Sequence, residues 1–308
     1  MKTNSLKRKI TILDTDIGDD IDDTWALAMA LKSPELDLRM VSTAYQDTEY
    51  RGRIVAKFLK IAGRTDVAVA LGPQDYEKPE NKRQMNWVKD YDLKSYGGKV
   101  FSNGIDAMIE FIMAAEETVT IICIGPGTNI AAALEKEPRI AEKCFFAGMH
   151  GSIHWSHRKE NKVIPEYNVV SDISAAQKIF EANWKDIIIT PLDTCGRIKL
   201  KGNLYESIRE ADDIVLKTLI ENYEIWSGKK DMTESSILFD TVAVHLAYSR
   251  EFLSIKDMNI GVDKKGYTVI DETAKACQFA IEWTDMDGYE NYLVKRLLSP
   301  TVNKKGES

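Results

Sequence analysis

The chain has 308 residues, of which 44% are hydrophobic and 29% are charged, and its formal net charge is −7. This length and composition suit one large globular domain or two small ones. The negative charge disfavours a nucleic-acid-binding protein, which is usually basic, and leaves small neutral or cationic molecules as partners.

The cysteine spacing and the apolar segments indicate in which cellular compartment the protein is located. None of the four cysteines belongs to a Cys-x-x-Cys pair; they are Cys123, Cys144, Cys195 and Cys277. We therefore expect no disulfide framework and a cytoplasmic location. The basic residues at 7–9 are followed by an apolar segment, 10–13, that is too short for a secretion signal. No stretch approaches the ~20 apolar residues of a membrane span.

Short apolar runs alternate with helical patterns along the chain. Strands are predicted at residues 10–13, 36–43, 67–71, 119–124, 145–149, 187–190, 267–270 and 278–283. Helices are predicted at residues 24–31, 50–61, 105–115 and 204–226, and from Asn129 onward. This order favours a single α/β domain over residues 9–300, with a mostly parallel, doubly wound sheet and helices on both faces. Residues 1–8 and 301–308 are predicted to be flexible tails.

Two long polar segments, 75–103 and 150–164, show little periodicity. Loops of this length in a compact domain are often lids or binding loops. Because ligands of parallel sheets bind beyond the carboxyl ends of the strands, we expect these loops to border the site.

Six of the ten residues from 14 to 23 are aspartates, and they lie between a predicted strand and a predicted helix. Two ionised carboxylates ~4 Å apart repel by about 1 kcal/mol in water and about 4 kcal/mol at an effective dielectric of 20. A solvated acidic turn with a helix N-cap explains one or two of the six. The full cluster favours a bound cation, and hard oxygen ligands suit Ca²⁺ or Mg²⁺ rather than Zn²⁺.

Four motifs, taken in order, carry a family resemblance. They are Asp-Thr-Asp-Ile-Gly at 14–18 with Asp-Asp at 22–23, Gly-Pro-Gly-Thr-Asn-Ile-Ala at 125–131, Glu-Tyr-Asn at 166–168, and Asp-Thr-Val-Ala-Val at 240–244. Together they resemble the nucleoside hydrolase family, over residues 9 to about 250. The pair at 22–23 directly precedes the helix and aligns best with the family's Asp-Asp; Asp19-Asp20 is the alternative pair, and either of these two aspartates could also touch the metal.

The resemblance implies hydrolysis of the N-glycosidic bond of a ribonucleoside or related N-riboside by a Ca²⁺-bound water. By this likeness the metal ligands are Asp16, Asp23, Asp240 and the backbone carbonyl of Thr128. Asp16 is also the implied general base, and Asp22 binds a ribose hydroxyl. An N-cap of the following helix is the structural alternative for Asp240, and the two roles are compatible.

Three further residues are candidates for ribose binding. Glu166 and Asn168 are two apart, so on an extended chain they point to the same side. A carboxylate at Glu166 would stabilise the positive charge that develops on the sugar during cleavage, although a surface strand would show the same spacing. Asp47 follows a predicted strand near the place where many family members carry a ribose-binding Asn.

The leaving-group end departs from the family pattern. Purine- and pyrimidine-releasing members often carry a His just before the late Asp, and Phe239 stands there in this chain. The candidates for protonating or stacking on the base are Trp87, His154, His157 and Trp226. A solvated loop His or a packed Trp is the plain alternative for each of them.

Three other readings of the sequence compete with this one. A haloacid-dehalogenase-type phosphatase also opens with Asp-x-Asp and uses Mg²⁺, but it gives the later motifs no role. A prenyl-diphosphate enzyme would need an all-helical fold. A family member that binds a ribosyl ligand without turnover is the non-enzymatic alternative. The base preference stays open, and we expect a homo-oligomer, dimer or tetramer, without nucleic-acid or membrane partners.

Overall fold

The computed structural model describes residues 7–75, 81–158 and 160–302, which fold around one ten-stranded sheet. The strands are β1 (Lys9–Thr15), β2 (Leu36–Thr43), β3 (Ala68–Leu71), β4 (Val100–Phe101), β5 (Val119–Cys123), β6 (Cys144–Met149), β7 (Asp186–Thr190), β8 (Leu253–Val262), β9 (Thr268–Ile270) and β10 (Ala276–Trp283). Their order across the sheet is β4-β3-β2-β1-β5-β6-β7-β10-β8-β9.

The sheet is parallel from β4 through β10, and only β8 and β9 run antiparallel to their neighbours. The predicted mostly parallel α/β fold is confirmed. The sequence reading missed β8, whose central residues Lys256 and Asp257 are exposed and interrupt the apolar pattern. The two-residue strand β4 was also missed.

The helices cover both faces of this sheet. They are α1 (Asp22–Leu31), α2 (Thr48–Ile61), α3 (Met85–Val88), α4 (Gly104–Ala114), α5 (Thr128–Lys136), α6 (Ile140–Lys143), α7 (Tyr167–Ser171), α8 (Ile173–Glu181), α9 (Leu192–Cys195), α10 (Asn203–Arg209), α11 (Ile214–Ser227), α12 (Phe239–Leu246) and α13 (Met286–Leu297). Because side chains alternate along β1, Ile12 joins one hydrophobic cluster and Leu13 the other. Within the described residues, no helix has the length and apolarity needed to cross a membrane.

One expectation about the helices needs correction. The single helix predicted at 204–226 is two helices, α10 and α11, because Asp213 accepts a hydrogen bond from the Leu216 amide (3.0 Å) and starts a new helix there. Most of each predicted tail lies outside the described residues. Val302 is nevertheless anchored, since its amide donates to Leu31 and its carbonyl accepts from Arg64.

The strand order reverses beside β1, which has β2 on one side and β5 on the other. The chain runs outward from β1 to β4, then crosses back to β5 and continues in the opposite direction. Such a switch point opens a crevice at the carboxyl ends of the strands, where open α/β sheets bind ligands. The aspartate cluster follows β1 directly and therefore lies at this crevice.

Candidate active site

A cavity of about 470 Å³ lies beyond the carboxyl ends of β1, β5 and β6, which is a usual size for a small-molecule site. Its walls are formed by Asp16, Asp19, Asp20, Asp22, Asp23, Arg83, Ile124, Met149, His157, Ile164, Pro165, Glu166, Tyr167, Asn168, Val170, Leu192, Trp226, Phe239 and Asp240. Eight of the twelve predicted site residues are in this wall, and Thr128, Asp47, Trp87 and His154 are not.

The loop between β1 and α1 is shaped by a glycine and an arginine. Gly18 has a φ of +119°, and a Cβ there would come within 2.7 Å of the Tyr50 ring, so only glycine fits without strain. The Arg51 guanidinium donates to the backbone carbonyls of Asp16 and Ile17. These contacts fix the loop so that Asp16 projects into the cavity.

Three carboxylates meet at the floor of the cavity. Asp22 and Asp23 open α1, and Asp240 lies in the first turn of α12, the helix that packs against α1. Each offers a carboxylate oxygen, and these oxygens lie within 4.8 Å of one another. The Thr15 hydroxyl donates to Asp23. The structure thus joins residues that are more than 200 positions apart in sequence.

Burial makes this carboxylate cluster costly without a counter-ion. The exposed fractions are 6% for Asp16, 4% for Asp22, 4% for Asp23 and 2% for Asp240. Desolvation raises the pKa of Asp22, Asp23 and Asp240 well above the ordinary value, and the neighbouring carboxylates raise it further. A divalent cation would relieve both effects, and carboxylate oxygens are the ligands that Ca²⁺ prefers. The residues present therefore fit a hard metal ion.

Asp16 stands beside this cluster as a separate carboxylate. Burial raises its pKa to about 7, while the charge of Arg51 opposes the shift and Asp19 adds to it. A carboxylate with a pKa near neutrality is suited to accept a proton at neutral pH.

Glu166 and Asn168 are in the cavity wall but not on an extended chain. Glu166 is the N-cap of α7, and its carboxylate accepts hydrogen bonds from the amides of Asn168 (2.7 Å), Gly151 (3.0 Å) and Val169 (3.2 Å). Burial raises the pKa of Glu166 to about 7 against these hydrogen bonds. Asn168 lies in the first turn of α7. The prediction that Glu166 and Asn168 lie on an extended chain is therefore wrong: Glu166 is the N-cap of α7, and Asn168 is in its first turn.

The side-chain amide of Asn168 is oriented by two carbonyls. Its Nδ2 donates to the carbonyl of Ile124 (3.0 Å) and to that of Met149 (3.1 Å). Ile124 follows β5 and is itself in the cavity wall, whereas the Thr128 hydroxyl donates to Asp172 (2.9 Å) away from the cavity. The residue after β5 that borders the cavity is thus Ile124, four residues before Thr128.

Asp47 has a structural role outside the cavity wall. Its carboxylate caps α2 by accepting a hydrogen bond from the Tyr50 amide (2.9 Å), and it forms an ion pair with Lys82. These contacts lower the pKa of Asp47 despite partial burial.

The leaving-group candidates separate into two groups. His157 and Trp226 are in the cavity wall. The ring centroids of His157 and Phe239 lie 6.2 Å apart in an edge-to-face arrangement. Partial burial lowers the pKa of His157, and the charge of Arg158 lowers it further. Trp87 instead packs against Phe58 in the core, and His154 is exposed.

Sequence reasoning missed several wall residues, including Arg83, Tyr167, Met149 and Leu192. Tyr167 lies within the Glu-Tyr-Asn motif, so its neighbours provided a signal. Arg83 belongs to the polar segment 75–103, where no periodicity or motif distinguishes one charged residue from another.

Residues 11–291 match the family model described as inosine-uridine preferring nucleoside hydrolase. Uridine nucleosidase 1 of Arabidopsis thaliana is 25% identical, over 96% of this chain and 94% of its own length. The pyrimidine-specific ribonucleoside hydrolase RihA of Enterobacter sp. (strain 638) is 26% identical, over 83% of this chain and 84% of its own length.

Solved structures share the same fold. A plant nucleoside hydrolase, PpNRh1, superposes with a TM-score of 0.80 at 23% identity, over 96% of this chain and 100% of that one. An inosine-uridine preferring nucleoside hydrolase from Bacillus anthracis gives a TM-score of 0.76 at 19% identity, over 95% and 99% of the two chains. The likeness in architecture therefore extends across nearly the whole molecule.

Proposed function

Because the chain belongs to the inosine-uridine preferring nucleoside hydrolase family, we propose that it hydrolyses a ribonucleoside to ribose and free base with Ca²⁺ bound at the floor of its cavity and Asp16 as general base. The predicted family and enzyme class, an N-glycosyl hydrolase, are confirmed. Family membership rules out the phosphatase interpretation. The ten-stranded sheet rules out an all-helical prenyl-diphosphate enzyme.

The meeting of Asp22, Asp23 and Asp240 is the observation that carries the metal proposal. Their oxygens lie within 4.8 Å of one another in buried positions, where like charges repel strongly. In our proposal Asp16, Asp23 and Asp240 bind Ca²⁺, with Asp22 beside them. We assign the backbone ligand to the carbonyl of Ile124 in place of Thr128, because Ile124 is in the cavity wall. When bound, Ca²⁺ supplies the positive charge that orients ribose hydroxyls and acidifies water.

The protein's own groups account for the remaining steps. Asp16 accepts the proton of the attacking water, because its carboxylate lies in the cavity wall beside the three-carboxylate cluster. Asp22 accepts a hydrogen bond from a ribose hydroxyl. The side-chain NH2 group of Asn168 already donates to two carbonyls. Its Oδ1 is therefore the atom that remains to accept a hydrogen bond from another ribose hydroxyl.

Glu166 has the electrostatic role in this proposal. Three backbone amides fix its carboxylate at the cavity wall before any ligand binds. A negative charge held in place in this way stabilises the positive charge that develops on the ribose ring as the glycosidic bond breaks. Asp47, which lies off the wall, has a supporting role here through α2 and Lys82.

Ribose release tests the proposal. Purified protein with Ca²⁺ is incubated with purine and pyrimidine ribonucleosides, with and without a chelator, and free ribose is followed. Chelator-sensitive release is the expected result. Calcium binding without release from any nucleoside would instead support the non-catalytic ribosyl-binding alternative. The homo-oligomer, dimer or tetramer, and the cytoplasmic location stay predictions, which light scattering and cell fractionation would check.

A further inference from the structure

An unpaired arginine lies in the wall of the cavity. The guanidinium of Arg83 lies over the indole of Trp226, with its central carbon 5.0 Å from the ring centroid, and both residues are in the cavity wall. Among the described residues, the Arg83 side chain makes no ion pair or hydrogen bond, although its charge acts on Asp20. A permanent positive charge with free N–H donors therefore faces a cavity that is otherwise rich in carboxylates.

The residues on both sides of Arg83 are anchored. Lys82 forms an ion pair with Asp47 at the start of α2. Gln84 is fully buried, and its side-chain amide donates to the Oδ1 of Asn222 on α11 (2.9 Å). With neighbours fixed on two different helices, the backbone of Arg83 is held in place, although the residue lies in a loop.

Trp226 is fixed in the same way beneath the guanidinium. Its indole N–H donates to the carbonyl of Asp19 (2.8 Å), and its ring stacks on Tyr223 with centroids 5.9 Å apart and an interplanar angle of 26°. An aromatic face attracts a guanidinium electrostatically. Trp226 thus serves as a platform that keeps the donors of Arg83 in the cavity.

The cavity has two chemically different ends. We call Asp16, Asp22, Asp23 and Asp240 the carboxylate end. We call the second group the aromatic end; it consists of Arg83, His157, Trp226 and Phe239, and the wall residues Asp19 and Asp20 lie beside Trp226 and Arg83. A nucleoside has the matching polarity, with a sugar rich in hydroxyl groups and a flat base edged by carbonyl oxygens. The sugar suits the carboxylate end, which leaves the base to the aromatic end.

We propose that Arg83, supported on Trp226, is a catalytic residue that donates hydrogen bonds to a carbonyl oxygen of the departing base. This rests on the proposed function. Because a guanidinium only donates hydrogen bonds, this contact needs an acceptor atom on the base, such as the carbonyl oxygens of uracil or hypoxanthine.

The reaction balances without a proton from Arg83. The bond between C1′ and the base nitrogen breaks, and its electron pair stays with the base and spreads onto the carbonyl oxygens. The hydroxyl of water bonds to C1′, and the proton of that water passes to Asp16. Arg83 keeps its proton, because an arginine side chain is not deprotonated in proteins, and solvent then protonates the base.

The test compares two leaving groups in one variant. Arg83→Met removes the donors and keeps an apolar contact with Trp226. Inosine needs help to expel its base, whereas the p-nitrophenyl riboside releases a stable phenolate. We expect kcat/KM to fall by about 10²-fold for inosine, as for loss of one charge-stabilising donor, and by less than about threefold for the p-nitrophenyl riboside.

Arg197→Met is the matched control, because the Arg197 guanidinium lies over Trp155 at 5.3 Å and neither residue is in the cavity wall. It should change kcat/KM for both ribosides by less than about threefold, and thermal unfolding should show both variants folded. Equal losses on the two ribosides in Arg83→Met would overturn the leaving-group role. If the wild-type protein cleaved neither riboside, the proposed function itself would fail.

Discussion

The carboxylate end and the aromatic end of the cavity differ in their origin and in their exposure to water. The carboxylates follow a central strand or begin a helix, and all four are nearly completely buried. At the aromatic end, Arg83 and His157 come from loops; Arg83 is exposed and His157 is half-buried. Rigid elements therefore hold the groups proposed to act on the sugar, while anchored loops hold those proposed to contact the base.

This contrast explains how one fold can retain its chemistry while the base it releases varies. A change at the carboxylate end alters buried charges, whose interactions are strong in a low dielectric. A change at the aromatic end alters exposed contacts, which are weaker and more tolerant of substitution. We therefore expect mutations at the first end to abolish the reaction and mutations at the second to change which base is released.

The largest effect is expected for Asp16→Asn. The amide cannot accept the proton of water, so kcat for ribose release should fall by about 10³-fold, within the range for loss of a general base. Initial-rate measurements with saturating Ca²⁺ would show it.

Asp19→Asn is the matched control for that variant, because Asp19 borders the same cavity but is more exposed. Its rate should stay within about threefold of wild type, as for most surface substitutions. Asp16→Asn activity close to that of wild type would remove Asp16 from the mechanism and, with it, the proposed role of the carboxylate end.

The second prediction concerns metal removal. If Ca²⁺ binds only the folded protein, a concentration of 100 times Kd adds about 2.7 kcal/mol of stability. At about 2–4 °C per kcal/mol for chains of 150–250 residues, chelation should lower Tm by about 5–10 °C. Differential scanning calorimetry with Ca²⁺, with Mg²⁺ and with chelator would measure this and rank the two metals.

The Asp240→Asn variant tests whether the Ca²⁺-dependent shift in Tm arises at the carboxylate end. Removing one of three buried carboxylates weakens the metal site, so the Ca²⁺-dependent shift should nearly disappear. Without Ca²⁺ the variant should be at least as stable as wild type, because fewer like charges are buried together. A full Ca²⁺ shift in Asp240→Asn would mean that the metal binds elsewhere.

The two ends also differ in how far sequence could predict them. The Asp-rich segment and the Glu-Tyr-Asn motif are short and contiguous, so the sequence alone predicted Asp16 and Glu166 as site residues, and both line the cavity. Arg83 reaches the cavity only because Lys82 and Gln84 are anchored to distant helices, and no local pattern encodes such long-range contacts. In the fold, the apolar parallel strands were predicted, while the partly exposed antiparallel strand β8 was not.

The third prediction concerns Phe239, at the boundary between the two ends. Phe239→His places a titratable ring next to Asp240 and near His157. A general acid at this position should raise kcat for inosine by about tenfold, a small part of what such groups can contribute. The Ca²⁺-dependent shift in Tm should stay unchanged, because the Asp240 carboxylate is not altered.

Phe239→Leu distinguishes proton donation from a simple change in shape. It should give no gain in rate, since leucine cannot donate a proton. Loss of the Ca²⁺ shift in Phe239→His would show that the start of α12 is not the metal-binding position assigned to it.

The smallest effect is expected for Asp47→Asn. Asparagine still caps α2 well, so only the ion pair with Lys82 is lost, which contributes about 0–1 kcal/mol. Because Asp47 lies outside the cavity wall, KM for the p-nitrophenyl riboside should change by less than about threefold. Asp22→Asn, whose side chain is in the wall, should raise the same KM by about tenfold or more, as for a lost hydrogen bond to a charged group. Equal increases in the two variants would extend the ribose site to the start of α2 and weaken the division of the cavity into two ends.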